Sequence, residues 1–507
     1  MSFSLGLYLL LCLTSCRQAP SDPSTVTVLI ESSPTNLDPR IGTDAQSERI
    51  DELIFDALVN KDKQFNLQPA LATSWEMPDP LTYIFHLRRG VHFHNGQPLT
   101  ARDVKWTLDS MRNHTLLTGK YQAYRNVSHV DAPDPSTVII HMQQPDASLL
   151  WNVSDGAIGI VPYGSGRDFQ QHPVGTGPFR FLRQEVDKEV ILERNPQSWR
   201  TAPKIARLEF HVVPDATTRA LEMRKGSADV AENALSPDML WSLRKDPKLA
   251  TISVPGTVVQ YLTFNLRDPY LRDVRVRQAV AYAIDRPLLI QALLRGQARI
   301  ADSLLPPDHW AYQGEVPRYN FNPGKARSLL DAAGYKPAPD GIRFHLAMKT
   351  STDEGARLLA MALQQQLRAV GIGLDIRSFE FATFYSDITH GSFGLYALRW
   401  IGGNEDPDIF RYAFASSSFP PRGANRGDYS NAEVDRLLQS ASMEADQAKR
   451  KLAYARVQEL LAAELPTLPL WFMDSVVLYN RRLSGVRASA SGNFYFLETA
   501  VPLQATK

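Results

Sequence analysis

The chain has 507 residues, more than a single hydrophobic core organises, so two or three compact units are expected. Its 55 Lys and Arg face 54 Asp and Glu, a formal charge of +1, which leaves no basic surface of the size a nucleic-acid partner requires. Both cysteines, Cys12 and Cys16, lie at the extreme N-terminus, so a structural disulfide or a cysteine-ligated metal in the remaining chain is excluded.

Leu5 to Leu13 is an apolar run of signal-peptide length and too short to span a bilayer, and the small residues Thr14 and Ser15 follow it directly. Leu13-Thr14-Ser15-Cys16 resembles the bacterial lipoprotein box, which implies that Cys16 becomes the lipidated first residue of the mature chain. The departure is that no Lys or Arg stands ahead of the apolar run. Residues 1–16 are therefore read as a lipoprotein signal peptide. Residues 17–24, polar and Pro-containing, are read as a tether.

Thr25 to Glu31 has the β-branched alternation of a strand, and Pro34 to Pro39 that of a loop. Ser47 to Leu58 places Ile50, Leu53, Ile54, Ala57 and Leu58 on one helical stripe. Short strands are expected over Ser74 to Leu87, and Val91-His92-Phe93-His94 runs into the turn former Asn95-Gly96. His92 and His94 share a strand face and offer two metal ligands, but no third or fourth accompanies them, so they are read as surface histidines and no metal is assigned. Thr100-Ala101-Arg102-Asp103 opens a helix as a variant capping box. Gly175-Thr176-Gly177-Pro178 makes a turn before the strand Phe179 to Leu182 and needs no phosphate to account for it.

Strands are expected at Arg207 to Val213 and Val258 to Asn265, around a helix from Ala216 to Lys225 capped by Asp215. Helices follow over Val274 to Ala283, from about Arg286, and from Asn322-Pro323 to Gly334. Phe344 to Met348, Ala356 to Val370 and Leu374 to Ser378 form a strand-helix-strand unit, which predicts parallel pairing. Leu395 to Arg399 is a further strand, and Trp400-Ile401-Gly402-Gly403-Asn404-Glu405-Asp406-Pro407-Asp408 ends it on an acidic turn. There an indole offers a stacking face, glycines allow close backbone approach, and three carboxylates offer a place for a cation or amine. Two helices, about Ala432 to Ser442 and Ala445 to Leu465, precede the return at Pro466 to Leu470.

Leu71 to Trp75, Tyr83 to Arg88, Gly90 to Gly96 and Leu99 to Val104 follow one another in an order and spacing that resemble the signature region of the peptide/nickel family of ABC-importer solute-binding proteins. The likeness continues through Gly175 to Phe179, Tyr261 to Asn265, and Val276-Arg277-Gln278-Ala279 leading to Ala283-Ile284-Asp285-Arg286. It implies an α/β, bilobed, type II periplasmic-binding-protein-like fold. Lobe one is then discontinuous, residues 25–260 plus 470–507 with an inserted subdomain at about 50–170, and lobe two is 261–469. Tyr261 to Asn265 and Leu468 to Phe472 are the two crossing segments of the hinge.

The function implied is an extracytoplasmic, lipid-anchored receptor that binds a di- or oligopeptide between its lobes and delivers it to a membrane ABC permease, as a monomer and without a cofactor. In the family's peptide binders an Asp three residues after a Trp pairs with the peptide's amino group. Trp400 matches that Trp, but Gly403 stands at the Asp position, so the amine-binding role does not carry over. The candidate ligand-binding residues are Trp400, Gly403, Glu405, Asp406 and Asp408, with Tyr261 and Asn265 on the first crossing segment. A second reading keeps the receptor and exchanges the cargo for a metal chelate, haem or oligosaccharide. A third, a secreted hydrolase, would rest on Gly164-Ser165-Gly166, which lacks the outer glycines of a nucleophile elbow.

Overall fold

Two long strands, Leu249–Phe264 and Thr467–Asn480, run antiparallel to each other through the middle of an eleven-stranded sheet. The computed structural model describes residues 22–113, 116–154, 156, 158–402 and 405–503. Both strands are rich in β-branched and aromatic residues and are largely buried, which suits strands covered on two faces. On one side of the pair lie Leu395–Trp400, Phe344–Ser351 and Ile372–Phe379. On the other lie Val230–Glu232, Thr25–Ile30, Arg207–Val212, Glu189–Arg194 and Phe179–Glu185.

The pairing of the two long strands slips twice. Leu249 to Pro255 pair with Asn480 to Asp474, then a bulge intervenes before Val259 meets Phe472. A second shift falls between Gln260, opposite Trp471, and Tyr261, opposite Pro469. A bulge bends a strand and increases its local twist. Gly256 sits in the first bulge, where a Cβ would lie 2.3 Å from the Met473 carbonyl oxygen, so only glycine fits.

The strand-helix-strand unit expected from sequence is present: Phe344–Ser351 pairs in parallel with Ile372–Phe379, and the helix Glu354–Arg368 buries Leu359, Ala360, Leu363 and Leu367. A separate four-stranded antiparallel sheet holds Ala72–Asp79, Thr82–Leu87, Thr137–Met142 and Val127–Asp134. Against it packs the helix Ala101–Arg112, whose start is fixed by the Asp103 carboxylate accepting from the Thr100 backbone N–H at 2.7 Å.

The helix expected over Ser47 to Leu58 is shorter, Ala45–Ile54. Its last carbonyl is met from outside, by the Gly177 N–H donating to Ile54 O at 2.9 Å, and a Cβ on Gly175 would stand 1.9 Å from that same oxygen. Asp56, two residues beyond, accepts from Thr176 Oγ1 at 2.7 Å and Trp199 Nε1 at 2.8 Å, which draws the chain out of the helix. The Gly-Thr-Gly-Pro motif is thus a backbone-to-backbone seat for a helix end.

The sheet containing Ala72–Leu87 and its flanking loops also touch the second half of the chain. Lys61 Nζ meets Glu405 Oε2 at 2.5 Å, Trp310 N donates to Gln64 O at 3.2 Å, and Ala147 N donates to Ser442 O at 2.8 Å. Among the described residues no helix is long and apolar enough to cross a membrane.

Candidate functional site: the Trp400 cleft

The strand Leu395–Trp400 pairs with the long strand Leu249–Phe264 so that Val259 faces Trp400, Tyr261 faces Leu398 and Thr263 faces Tyr396. Side chains alternate along a strand, so this register puts Tyr261, Thr263, Tyr396 and Trp400 on one face. Leu262, Phe264, Leu395 and Ala397 go to the other, where they join the main hydrophobic core of this half. On the first face Trp400 stacks on Tyr261, ring centroids 5.8 Å apart and planes at 21°. Tyr396 meets Tyr261 edge-on at 6.3 Å, and Tyr412 of the short helix Ile409–Phe414 meets Trp400 edge-on at 6.1 Å. Between this face and the segment 413–429 lies a small, partly enclosed cleft. Tyr261 is buried and Trp400 is only partly so, which leaves the indole as the accessible wall.

The acidic turn is already spent on its own protein. Glu405 pairs with Lys61, and its carbonyl accepts from His309 Nε2 at 3.0 Å. His309 is held neutral, its pKa lowered to about 4 by burial. Asp406 accepts from the Asp408 backbone N–H at 3.0 Å and faces Arg450 Nη2 at 3.4 Å. Asp408 pairs with Arg411 through two oxygens, and burial still pushes its carboxyl up to about 6. Gly403 lies outside the described residues. Asn265 uses its amide on Gly391 O at 3.1 Å and Phe393 O at 2.7 Å, so it braces the strand end and has no donor left for a ligand.

One residue that the sequence reading passed over enters the cleft. Arg426, 8% exposed, lines it beside Trp400, with its guanidinium 5.1 Å from the Tyr385 ring centroid and its Nη2 donating to Tyr385 Oη at 2.8 Å. Nothing in Gly423-Ala424-Asn425-Arg426-Gly427 marks it, because an Arg in a glycine-containing loop is ordinarily solvated.

Elsewhere the candidate chemistry resolves into structure. His94 accepts from the Gly175 N–H at Nδ1 and donates from Nε2 to Gly177 O at 3.0 Å, and burial lowers its pKa to about 4. His92 is exposed and lies against Gly90 O. The Ser165 hydroxyl donates to Pro162 O at 2.7 Å in its turn. His129 and His141 stack at 4.2 Å across two strands with Asp131 beside both, an exposed cross-strand group on the smaller sheet.

Residues 66–420 match the family model of bacterial extracellular solute-binding proteins, family 5. The chain is 27% identical over 506 residues to the dipeptide-binding protein of Escherichia coli K12, covering 94% of each. Among solved structures it superposes on NikZ from Campylobacter jejuni in complex with Ni(L-His), with a TM-score of 0.79 at 25% identity, covering 94% of this chain and 99% of that one. It also superposes on the periplasmic binding protein DppA from Helicobacter pylori in complex with the peptide STSA, with a TM-score of 0.76 at 25% identity, covering 95% and 98%.

Proposed function

The chain belongs to the bacterial extracellular solute-binding proteins of family 5, and from that premise we propose that its cargo is a di- or oligopeptide, gripped between two lobes and handed to a membrane ABC permease. The observation that carries this reading is the Trp400–Tyr261 stack, an aromatic wall set on the strand that the chain uses to pass from one half to the other. A partly exposed indole gives large contact area at low entropic cost and accepts many side chains, as a receptor for varied peptides requires. Beside it, Phe344–Ser351 pairs with Leu395–Trp400 only at Leu395 and Tyr396, and Gln260 Nε2 already donates to Leu398 O at 2.9 Å, so an extended ligand backbone would pair beyond that contact.

The lobes in this proposal are residues 25–260 plus 470–507 and residues 261–469. The register shift between Gln260 and Tyr261, opposite Trp471 and Pro469, supports placing the hinge there. Closure then requires a ligand that gains contacts only in the closed form. Trp400 and Tyr261 form the aromatic wall, Gly403 and Glu405 border it, and Asp406 and Asp408 hold the turn in shape. Cys16, outside the described residues, anchors the mature chain through lipid, and the receptor acts as a monomer that breaks no bond in its cargo.

A metal chelate, haem or oligosaccharide is the alternative cargo, favoured by the glycine at position 403 and by carboxylates already engaged. Thermal-shift titration with short peptides, haem and a nickel–histidine chelate separates the two. Ligand binding raises the melting temperature with concentration, and the peptide reading predicts that shift for peptides. A shift with the chelate or haem alone would transfer the cargo to the second reading.

A further inference from the structure

We infer that the Trp400 cleft is an anion site, in which the Arg426 guanidinium receives a carboxylate of the ligand. This rests on the receptor reading above and names the end of the cargo that the cleft selects.

Six arginines are buried among the described residues, and five have their charge or their donors answered by the protein. Arg40 pairs with Asp38 at 2.7 Å, Arg286 with Asp302 at 3.3 Å and Arg450 with Asp406 at 3.4 Å. Arg277 and Arg219 each donate to several backbone carbonyls, among them Leu465 O at 2.9 Å and Ala234 O at 2.8 Å. Arg426 is the exception. Its neighbours are the phenols of Tyr396, Tyr261 and Tyr385, its Nη2 donates to the Tyr385 hydroxyl, and its Nε–H, like that of Arg450, is buried without a partner. Among the described residues no carboxylate forms an ion pair with it. Burial desolvates this cation, and the Tyr385 ring and phenol hydroxyls answer it with dipoles rather than with a full counter-charge.

The surroundings are built to keep that charge in place. Asn425 is buried and ties the loop down through its amide, to Phe414 O, Ala415 O and Tyr429 O, the last at 2.8 Å. Gly427 packs its Cα against the first crossing strand, where a Cβ would lie 2.5 Å from Phe264 O. The guanidinium is thereby preorganised against one wall of the cleft, which lowers the cost of binding a partner. Around it, phenol hydroxyls supply further donors, while the nearby carboxylates Glu405, Asp406 and Asp408 are each turned to Lys61, Arg450 and Arg411. The cleft is therefore poised for negative charge: among the described residues it presents no unpaired acid for an amine, and its cation has no carboxylate counter-charge. A carboxylate is planar and bidentate, the shape that a guanidinium with an open Nε–H edge accepts best.

The test is calorimetry on the full chain with ligands offered as acid and amide pairs: Ala-Phe, Ala-Ala-Phe, N-acetyl-Ala-Phe, N-acetyl-Phe and histidine as its nickel chelate. Each is measured on wild type, Arg426→Met and Arg426→Lys. Within any pair that binds, the acid is expected to bind about 30-fold or more tightly than its amide, the scale for losing one partner of a buried charge pair. Arg426→Met should bring the ratio close to one without weakening the amide, Arg426→Lys should keep part of it, and the ligand-free melting temperature of Arg426→Met should not fall. Equal binding of acid and amide by wild type, a ratio that survives in Arg426→Met, or binding by none of the acids overturns the assignment. If only N-acetyl-Phe or the chelate binds, the peptide reading fails while the carboxylate preference is still read within that pair.

Discussion

The guanidinium of Arg450 lies 4.7 Å from the ring centroid of Trp151 and 5.6 Å from that of Trp310, whose indoles stack at 6.0 Å. Arg450 belongs to the helix Gln447–Glu464 in the second half of the chain, and Trp151 to the first half. A desolvated cation–π contact is worth about 2 kcal/mol, and the one from Arg450 to Trp151 joins the two lobes proposed above, whereas the one to Trp310 lies within the second. Lys61–Glu405 and the Phe65–His309 stack at 5.4 Å bridge the same seam.

Replacing Trp151 with Ala is therefore expected to favour separation of the halves. Ligand affinity should fall about tenfold through the smaller closed population, and small-angle scattering of the ligand-free protein should show a larger radius of gyration. Unchanged affinity and radius would mean that the seam is not part of closure.

Trp400 and Tyr261 should part company under mutation although they touch. Trp400→Ala, at a partly exposed site, should lower affinity by about 30-fold while costing little stability, as a central aromatic anchor does. Tyr261→Ala, fully inside, should cost about 3 kcal/mol of stability as well. Calorimetry and denaturant titration distinguish the two; equal stability losses would place Trp400 in the core.

Glu232 supplies a pH test. Both of its carboxylate oxygens are buried without a partner, and burial raises its pKa from the usual 4.5 to about 8, Arg49 opposing only in part. The folded state thus holds a proton that the unfolded state releases. Its contribution is fully present below pH 4.5 and is lost as pH rises through about 8, a drop of a few kcal/mol. Glu232→Gln should flatten the fall in melting temperature between pH 5 and pH 8. An unaltered slope would assign that pH dependence to other groups.

The fold was legible where local chemistry decides. Asp103 at its cap, the apolar stripe of Leu359 to Leu367, and the Asn95-Gly96 turn each act within a few residues, and the elements form where expected. The helix expected to reach Leu58 stops at Ile54 because Gly175 and Gly177, more than a hundred residues away, reach its end, and no local pattern records that. The cleft divided in the same way. Trp400 and Tyr261 were visible as strand aromatics, but whether a charge is answered depends on contacts across the fold. The carboxylates of the acidic turn therefore look available to a ligand in the sequence but are engaged in the fold, and Arg426, which nothing in the sequence marks, is buried.

Cys16 is the lipid attachment point in the proposed mature chain. Cys16→Ala should move the protein from the membrane fraction to the soluble fraction and remove the mass of the diacylglyceryl group. An unmodified Cys16 in the wild-type protein would contradict the anchor.

Closure on cargo is measured by scattering in solution on the purified receptor, with and without a saturating short peptide. The peptide-bound protein is expected to show a smaller radius of gyration, with the peptide recovered chemically intact. The same radius with bound peptide as without it would contradict a receptor that closes on its cargo.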